Sequence, residues 1–597
     1  MKKINVSLVA SFLIATNLYS QTTTLETITV TSATKSEQKL KDVTANVDVI
    51  TAEDIEARKF KTVVEALNSL SGVSISSNGG MGTLTQVYLR GMGSNRTLVL
   101  IDGIRYNDIT NPNGSVDFAH LMINDIERIE VIKGAQSSIW GADASAGVIN
   151  IITKSAQMGT SGNATIEYGR YNSKIARANI SHKNENFDAK LSATRVDTDG
   201  FSARSPKSSE AKNYEDDGYE NTTANLKLGY NFNDSNRIST SYEVIDTKVN
   251  FDSLTPDDKI NEANTLTHLA NLTYENRNDI ALTKVYTNYT EIKRDSKDSS
   301  GTSNFRGKVK EYGLNTSINY LTSSNVTLGA DYKDFEDKEM SKDYDNKGIF
   351  ISNTNKFFDD KTIFTQALRY DRYSNFENKT TGKIGIKQYI IDELNVSSNY
   401  GTGYNVPTFS QLFGQYGANP DLNPEKTKSY DIGFEYKGFS ITYFNTKIDN
   451  MIDWGNGYEN IEGTSKIKGT EIAYKNEVIE DLLLNLSYTN LSAKDAKGDK
   501  LLNRPTNKFN FGVDYYGLKD FHFNVNGEYI GTRYSWGSPN SVKTGNYTIW
   551  NAVVDYDISK NFSTYLKLDN IFNKDYQIVD GYATSQRAAY LGIKASF

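Results

Sequence analysis

From Lys154 to the C-terminus, apolar and polar residues alternate with period two for roughly 440 residues, and no other feature narrows the fold of this chain as far. Phe521, Phe523, Val525 and Tyr529 alternate with His522, Asn524, Asn526 and Glu528. Phe509, Phe511, Val513 and Tyr515 alternate with Asn510, Gly512, Asp514 and Tyr516, and Leu482, Leu484, Leu486 and Tyr488 with Asn485, Ser487 and Thr489. Such segments make strands with one apolar and one polar face. Between them lie turn clusters such as Asn233-Asp234-Ser235-Asn236 and a polar stretch near Asp295 to Asn304 that reads as a long loop. Short turns alternating with long loops suit a membrane barrel with two unlike ends. At roughly 20 residues per strand with its share of loop, this length predicts about 22 antiparallel strands, a barrel wide enough to need a plug.

The ends of the chain fit export to a membrane. Lys2 and Lys3, an apolar stretch from Val6 to Ala15, and Ser20 before Gln21 read as a secretory signal peptide over residues 1–20. No later segment approaches the 18 or so apolar residues of a transmembrane helix. With 38 Tyr, 26 Phe, 43 Gly, only 8 Pro and 38% hydrophobic residues, at a mean hydropathy of -0.54, the chain is polar on average yet rich in girdle aromatics. Cys is absent, so neither a disulfide framework nor a thiolate metal site is possible. A net charge of -7 argues against nucleic acid as a partner. His120, His182, His268 and His522 are scattered, none with a second His at metal-ligand spacing.

From about Leu25 to Lys154 the chain reads instead as a compact α/β segment. Val47 to Ile50 is a short strand, Thr51 to Arg58 a helix opened by a Thr51 cap with Asp54 three residues on, and Thr62 to Leu70 a second helix. Strands are predicted at Gln86 to Arg90, Thr97 to Ile101, Ile126 to Lys133 and Gly147 to Thr153. The fold class expected is therefore an all-β transmembrane barrel of about 22 antiparallel strands with an N-terminal α/β plug domain inside the lumen. The expected division is signal peptide 1–20, N-terminal linker 21–36, plug 37–155 and barrel 156–597.

Several motifs then occur in order. Val87-Tyr88-Leu89-Arg90-Gly91 precedes Leu98-Val99-Leu100-Ile101-Asp102-Gly103-Ile104-Arg105, followed by Ile126-Glu127-Arg128-Ile129-Glu130-Val131-Ile132-Lys133-Gly134, Trp140-Gly141-Ala142-Asp143-Ala144 and Gly147-Val148-Ile149-Asn150-Ile151-Ile152-Thr153. This series resembles the plug of TonB-dependent receptors. Its apolar strands build a small core, and its Arg and acidic residues can pair with charged groups on a barrel wall, where burial would otherwise be costly. Near the N-terminus, Glu26, Thr27, Ile28, Thr29, Val30, Thr31, Ser32 and Ala33 resemble the TonB box. An extended β-branched segment can add as a strand to a partner's sheet edge, and the role the resemblance implies is force transmission from TonB. The terminal Phe597, with Ala595, Ile593 and Leu591 alternating behind it, looks like the signal read by outer-membrane barrel assembly.

Within that family the chain is similar to the cobalamin receptors. The likeness lies in Ser77-Asn78-Gly79-Gly80-Met81-Gly82, Asn113-Gly114-Ser115-Val116-Asp117, Gly401-Thr402-Gly403-Tyr404, Gln411-Leu412-Phe413-Gly414-Gln415-Tyr416-Gly417, Asn419-Pro420-Asp421-Leu422-Asn423-Pro424-Glu425-Lys426, Gly531-Thr532-Arg533-Tyr534 and Asn570-Ile571-Phe572-Asn573-Lys574-Asp575-Tyr576. The resemblance implies ligand contacts at Leu84, Gln86 and Gly93 in one plug region and at Pro112 and Asn113 in another. A large, amide-fringed ligand such as cobalamin calls for neutral polar groups rather than charge. The resemblance further implies a calcium site, ordering two extracellular loops, from Asn213, Glu215 and Asp217 with Phe251, Asp252, Ser253, Asp257 and Asp258. Oxygen donors from two loops suit calcium, which takes six to eight of them. Three positions depart from the family: Ser202 stands where an Asp is expected, Glu215 replaces an Asp, and Phe251 a Tyr.

The function implied is TonB-dependent uptake of cobalamin across the outer membrane of a Gram-negative bacterium, by a monomer with membrane lipid, TonB and the ligand as partners. The same barrel could take up a ferric siderophore or heme, although paired His ligands for heme are not evident. No nucleophile motif marks the chain as an enzyme, and the plug and box argue against a passive porin.

Overall fold

The computed structural model describes residues 28–112, 114–253, 260–321, 323–536 and 541–597. The signal peptide expected at 1–20, and Glu26, Thr27, Asn113, Asp257 and Asp258, lie outside the described residues.

The alternating half closes into a barrel of 22 antiparallel strands. The first, Gly159–Gly169, pairs with the last, Ala588–Ser596, from Asn163 opposite Ser596 to Gly169 opposite Tyr590. An even strand number returns the chain to the end where it entered, and there Phe597 exchanges main-chain hydrogen bonds of 3.0 Å with Gly162. At that end the turns are short, as between Tyr219–Asn233 and Asn236–Asn250. At the other, connections such as 406–424, with the short helix Phe409–Phe413, and the irregular 570–587 are long. Short turns mark the periplasmic side and long loops the extracellular one.

Outward positions confirm the alternation. Ile166, Ile180, Leu191, Ile349, Leu368, Ile384 and Ile432 are all exposed, a continuous apolar surface that only lipid makes favourable. On Phe521–Ser535, Val525 and Tyr529 face out while Asn524 is buried toward the lumen. No helix among the described residues is long and apolar enough to cross a membrane; the strands do so.

One expectation fails. The polar stretch Asp295 to Asn304 is not a long loop but the tip of a hairpin between Ala281–Asp298 and Gly301–Tyr320. About ten residues suffice for a strand to cross the bilayer, so the outer half of these 18- and 20-residue strands stands in water. Polar side chains on both faces there indicate solvent, not the absence of a ladder.

The N-terminal segment forms the plug. Its main sheet runs Val47–Thr51, Ile126–Lys133, Gly147–Thr153, Thr97–Ile101, Ile104–Arg105, with one parallel pairing, Thr97–Ile101 against Gly147–Thr153. A separate hairpin pairs Val73–Ser77 with Thr85–Leu89. The helix Ala52–Arg58 starts where the sequence places it: the Thr51 hydroxyl accepts from the Asp54 amide, and the Asp54 carboxylate accepts from the Thr51 amide. Ile50, Val99, Ile129, Val131 and Ile149 make the core.

Between plug and wall the polar faces meet, and charge is matched by charge. Arg90 of the plug donates to Glu471 at 2.9 Å and Asp431 at 3.1 Å, and Lys133 shares Glu471 at 3.3 Å. Arg96 grips Glu425 with two hydrogen bonds of 2.6 and 2.8 Å. On the wall itself Arg369, 0% exposed, bridges Asp331 and Asp371 at 2.7 and 2.8 Å. Removing one member of such a buried set costs ~3–5 kcal/mol, because the others keep their desolvation penalty. Arg369→Ala is therefore expected to lower the thermal unfolding midpoint of the purified barrel clearly; an unchanged midpoint would show that Lys35 and Lys333, which reach Asp331 at 3.5 and 2.7 Å, compensate fully.

Candidate functional site: plug apices, acidic loops and the N-terminal segment

Two plug loops reach the extracellular side. The first joins Val73–Ser77 to Thr85–Leu89. Gly79 (φ +125) and Gly82 (φ +84) allow it to turn tightly beneath the loop 199–218: a Cβ at Gly79 would lie 2.7 Å from that of Ala203, and one at Gly82 would strike the Tyr219 ring. Leu84 is exposed and Gln86 half-buried, its side-chain oxygen accepting from the Tyr88 hydroxyl at 2.9 Å. Gly93 is buried, at the start of the 3-10 turn Ser94–Arg96. Of the four described positions implied for ligand contact, Leu84 and Pro112 are the most open.

The second apex spans Asp108 to Val116. Pro112 is exposed, and its carbonyl accepts from the Thr408 hydroxyl at 3.3 Å. The Thr110 carbonyl accepts from Ser410 at 3.2 Å. Both donors belong to the short helix Phe409–Phe413 or its cap, in the extracellular loop 406–424. Asp117 ties the apices together by accepting the Thr85 amide at 3.2 Å. The sequence motif Gln411 to Gly417 held these donors' surroundings, but nothing in it showed that Thr408 and Ser410 would touch the plug.

The acidic loops converge as expected in part. Glu215, Asp217 and Asp252 place one carboxylate oxygen each within 4.8 Å of one another. Asp217 accepts the Ala203 amide at 2.6 Å, and Asp252 accepts the Arg204 amide at 2.8 Å and the Ser202 hydroxyl at 3.0 Å. Ser202 thus sits at the cluster, spanning with a hydroxyl the position where an Asp was expected. Phe251 and Ser253 flank Asp252, and the Ser253 carbonyl accepts from Arg204 at 3.0 Å. Asn213 stands exposed at the end of the 3-10 helix Ser208–Asn213. Burial pushes the Asp217 carboxyl up to about 8, and the Asp252 charge pushes the same way against the Ala203 amide. Three acids held this close favour a cation among them. The donor set is all oxygen, as a hard divalent cation requires.

At the periplasmic side, Ile28 to Ser36 is docked inside the lumen. Thr29–Val30 pairs with Gln38–Lys39, and Val30, 0% exposed, packs with Ala33, Val43 and Ile132. Glu130, on the plug strand Ile126–Lys133, accepts the amides of Thr31 (3.1 Å) and Ser32 (3.0 Å) and the Ser32 hydroxyl. The Trp140 indole donates to the Ser32 carbonyl at 2.8 Å. Lys35 reaches Asp331 on the wall at 3.5 Å, and burial brings its ammonium down to about 8 although Asp331 opposes this. Glu130 is a residue that sequence reasoning missed as a holder of this segment; in the motif it is one acid among several.

A closed barrel carrying its own plug, with the N-terminal segment docked against that plug in the lumen, defines a plugged outer-membrane receptor. Residues 157–571 match the TonB-dependent receptor-like β-barrel family and residues 39–148 the TonB-dependent receptor plug domain. The chain belongs to the TonB-dependent receptors, outer-membrane transporters of Gram-negative bacteria, and its family work is transport rather than catalysis. It is 28% identical over 590 residues to the vitamin B12 transporter BtuB of Photobacterium profundum, covering 94% of each chain. To the vitamin B12 transporter BtuB of Vibrio cholerae serotype O1 it is 27% identical over 602 residues, 96% of this chain and 95% of that one. Among solved structures, the siderophore receptor PirA from Acinetobacter baumannii superposes with a TM-score of 0.79 at 18% identity, covering 92% of this chain and 98% of that one. The ferric-catecholate import receptor Fiu from Escherichia coli gives 0.79 at 16%, over 94% and 98%. At these identities the solved structures speak for the fold alone.

Proposed function

We propose that this receptor imports cobalamin, with calcium ordering its acidic loops and TonB pulling on Glu26 to Ala33. The observation that carries the reading is the likeness, over 94% of both chains, to a vitamin B12 transporter. Ligand binds against the exposed plug apices around Leu84 and Pro112, where backbone and neutral polar groups suit an amide-fringed molecule. Glu215, Asp217 and Asp252, with Phe251 and Ser253 beside Asp252, hold calcium, whose charge offsets the mutual repulsion of the acids; Asn213, Asp257 and Asp258 are further donors that the family resemblance implies. Ligand binding favours the state in which the N-terminal segment has left Glu130. TonB pairs with the released segment as an added strand and draws the plug aside.

A binding titration of the refolded barrel with cyanocobalamin, in calcium and in chelator, tests this. Saturable binding below micromolar ligand is expected in calcium, weakened by at least ~10-fold without it, since each 1.4 kcal/mol of lost loop order is a factor of ten. No binding at micromolar ligand moves the assignment to ferric siderophores. Asp217→Asn is expected to make binding in calcium equal to that in chelator; a retained calcium response would remove Asp217 from the site.

A further inference from the structure

On the outer face of the barrel, at its extracellular end, lysines stand in a row. Lys428 is directly opposite Lys447, Lys447 opposite Lys466, and Lys466 opposite Lys494, across four neighbouring strands. All four are exposed, while their chain neighbours Thr427, Ile448, Ile467 and Ala493 are buried toward the lumen. Lys468 is exposed on the same face, opposite Asn445 and Ser492. None of these five forms an ion pair among the described residues. The acid at the next outward position, Asp449, lies opposite Lys426 and accepts the Thr464 hydroxyl at 2.6 Å. Like charges directly opposite one another destabilise a sheet. Elsewhere on the outer face lysines have acidic partners: Lys308 meets Glu291 at 3.1 Å, Lys310 meets Asp334 at 3.3 Å and Lys347, itself opposite Arg372, meets Asp345 at 3.7 Å.

The level of the row in the membrane follows from its own strands. Moving toward the periplasmic turns, the same outward positions read Tyr430, Ile432 and Phe434 on one strand, Tyr443 and Ile441 on the next, and Tyr488 on the fourth, all exposed. Aromatic girdles sit at the headgroup boundary of a membrane barrel. The ammonium groups therefore stand just above it, among the headgroups of the outer leaflet. Strands ~4.8 Å apart spread four lysines over about 14 Å, wider than a single phosphate. We infer that this row docks an outer-leaflet lipid whose headgroup carries more than one phosphate. Charge complementarity supplies the attraction, and the lysine stems lie along the apolar wall while their ammonium groups reach the anion.

The test uses the purified full chain in neutral detergent, with rough lipopolysaccharide, the same material after phosphatase treatment, and phosphatidylcholine as probes, read by native mass spectrometry. The wild type is expected to prefer the phosphorylated form by at least ~10-fold, as several ammonium contacts imply. The variant K428Q/K447Q/K466Q/K494Q is expected to lose that preference, and K308Q/K310Q/K347Q to keep it. Equal preference in the fourfold variant, or none in the wild type, overturns the inference, as does tighter binding of polyglutamate than of the phosphorylated lipid, which would point to an acidic protein partner. Should the fourfold variant fail to fold, wild type at about 0.05 and 0.5 M NaCl decides: screening should erode the preference several-fold, and a salt-independent preference overturns the inference.

Discussion

Val30→Pro is expected to abolish uptake while leaving ligand affinity within about threefold of wild type, because the change sits at the periplasmic end of the lumen and far in sequence from the apices. Proline has no amide hydrogen and a fixed φ, so it removes a ladder hydrogen bond and leaves the acceptor unpaired at a cost of about 1–3 kcal/mol, up to about two orders of magnitude in any pairing that needs the strand. Two pairings use this segment. At rest Thr29–Val30 lies against Gln38–Lys39, with Val30 fully buried beside Ile132. During transport, in the proposed mechanism, the same backbone pairs with TonB. Ile28→Pro should act alike, and Val30→Ile should transport normally. Labelled ligand uptake by cells, beside equilibrium binding by their outer membranes, separates the two effects. Uptake within twofold of wild type would contradict the role given to the segment.

Glu130→Ala is expected to release the N-terminal segment without ligand. The carboxylate, 0% exposed, is the acceptor for the Thr31 and Ser32 amides and the Ser32 hydroxyl. Hydrogen bonds to a charged group contribute ~1.5–3 kcal/mol each, and amides left buried without an acceptor add to the loss. Even ~3 kcal/mol in total shifts a two-state equilibrium more than 100-fold. The chain contains no Cys, so a spin label on Thr29→Cys, at an exposed position, reports on this segment alone. A mobile spectrum is expected in the Glu130→Ala background and an immobile one with Glu130 intact. Immobile spectra in both would mean that Trp140 and Lys35 hold the segment unaided.

What the sequence revealed of this fold was local or periodic. The capping pair Thr51 and Asp54 is three residues apart and predicted its helix to within one residue. Strands Thr97–Ile101, Ile126–Lys133 and Gly147–Thr153 were bounded correctly because Gly and charged residues end each apolar run. The barrel strands followed from alternation, since lipid on one side and a polar lumen on the other leave each residue two choices. Val73–Ser77 was not legible: its Ser-rich run has a pattern of turn residues, and only pairing with Thr85–Leu89 makes it a strand. The hairpin at Asp298 and Gly301 misled for the same reason. The holders of the candidate site were hidden by separation in the chain: Glu130 lies 98 residues from Ser32, and Ser410 lies 300 from Thr110. Acidic spacing brought out Glu215, Asp217 and Asp252, whereas the part played by Ser202 needed the folded loop.

The central claim is that this receptor takes up cobalamin by means of TonB, and cellular uptake tests it most directly. In the bacterium that makes the protein, radiolabelled cyanocobalamin uptake is compared among wild type, a deletion strain, and the deletion strain carrying either the native chain or Val30→Pro. Uptake lost on deletion, restored by the native chain and not restored by Val30→Pro is the result predicted. Cobalamin uptake unchanged by deletion, with loss of ferric-siderophore uptake instead, would contradict it.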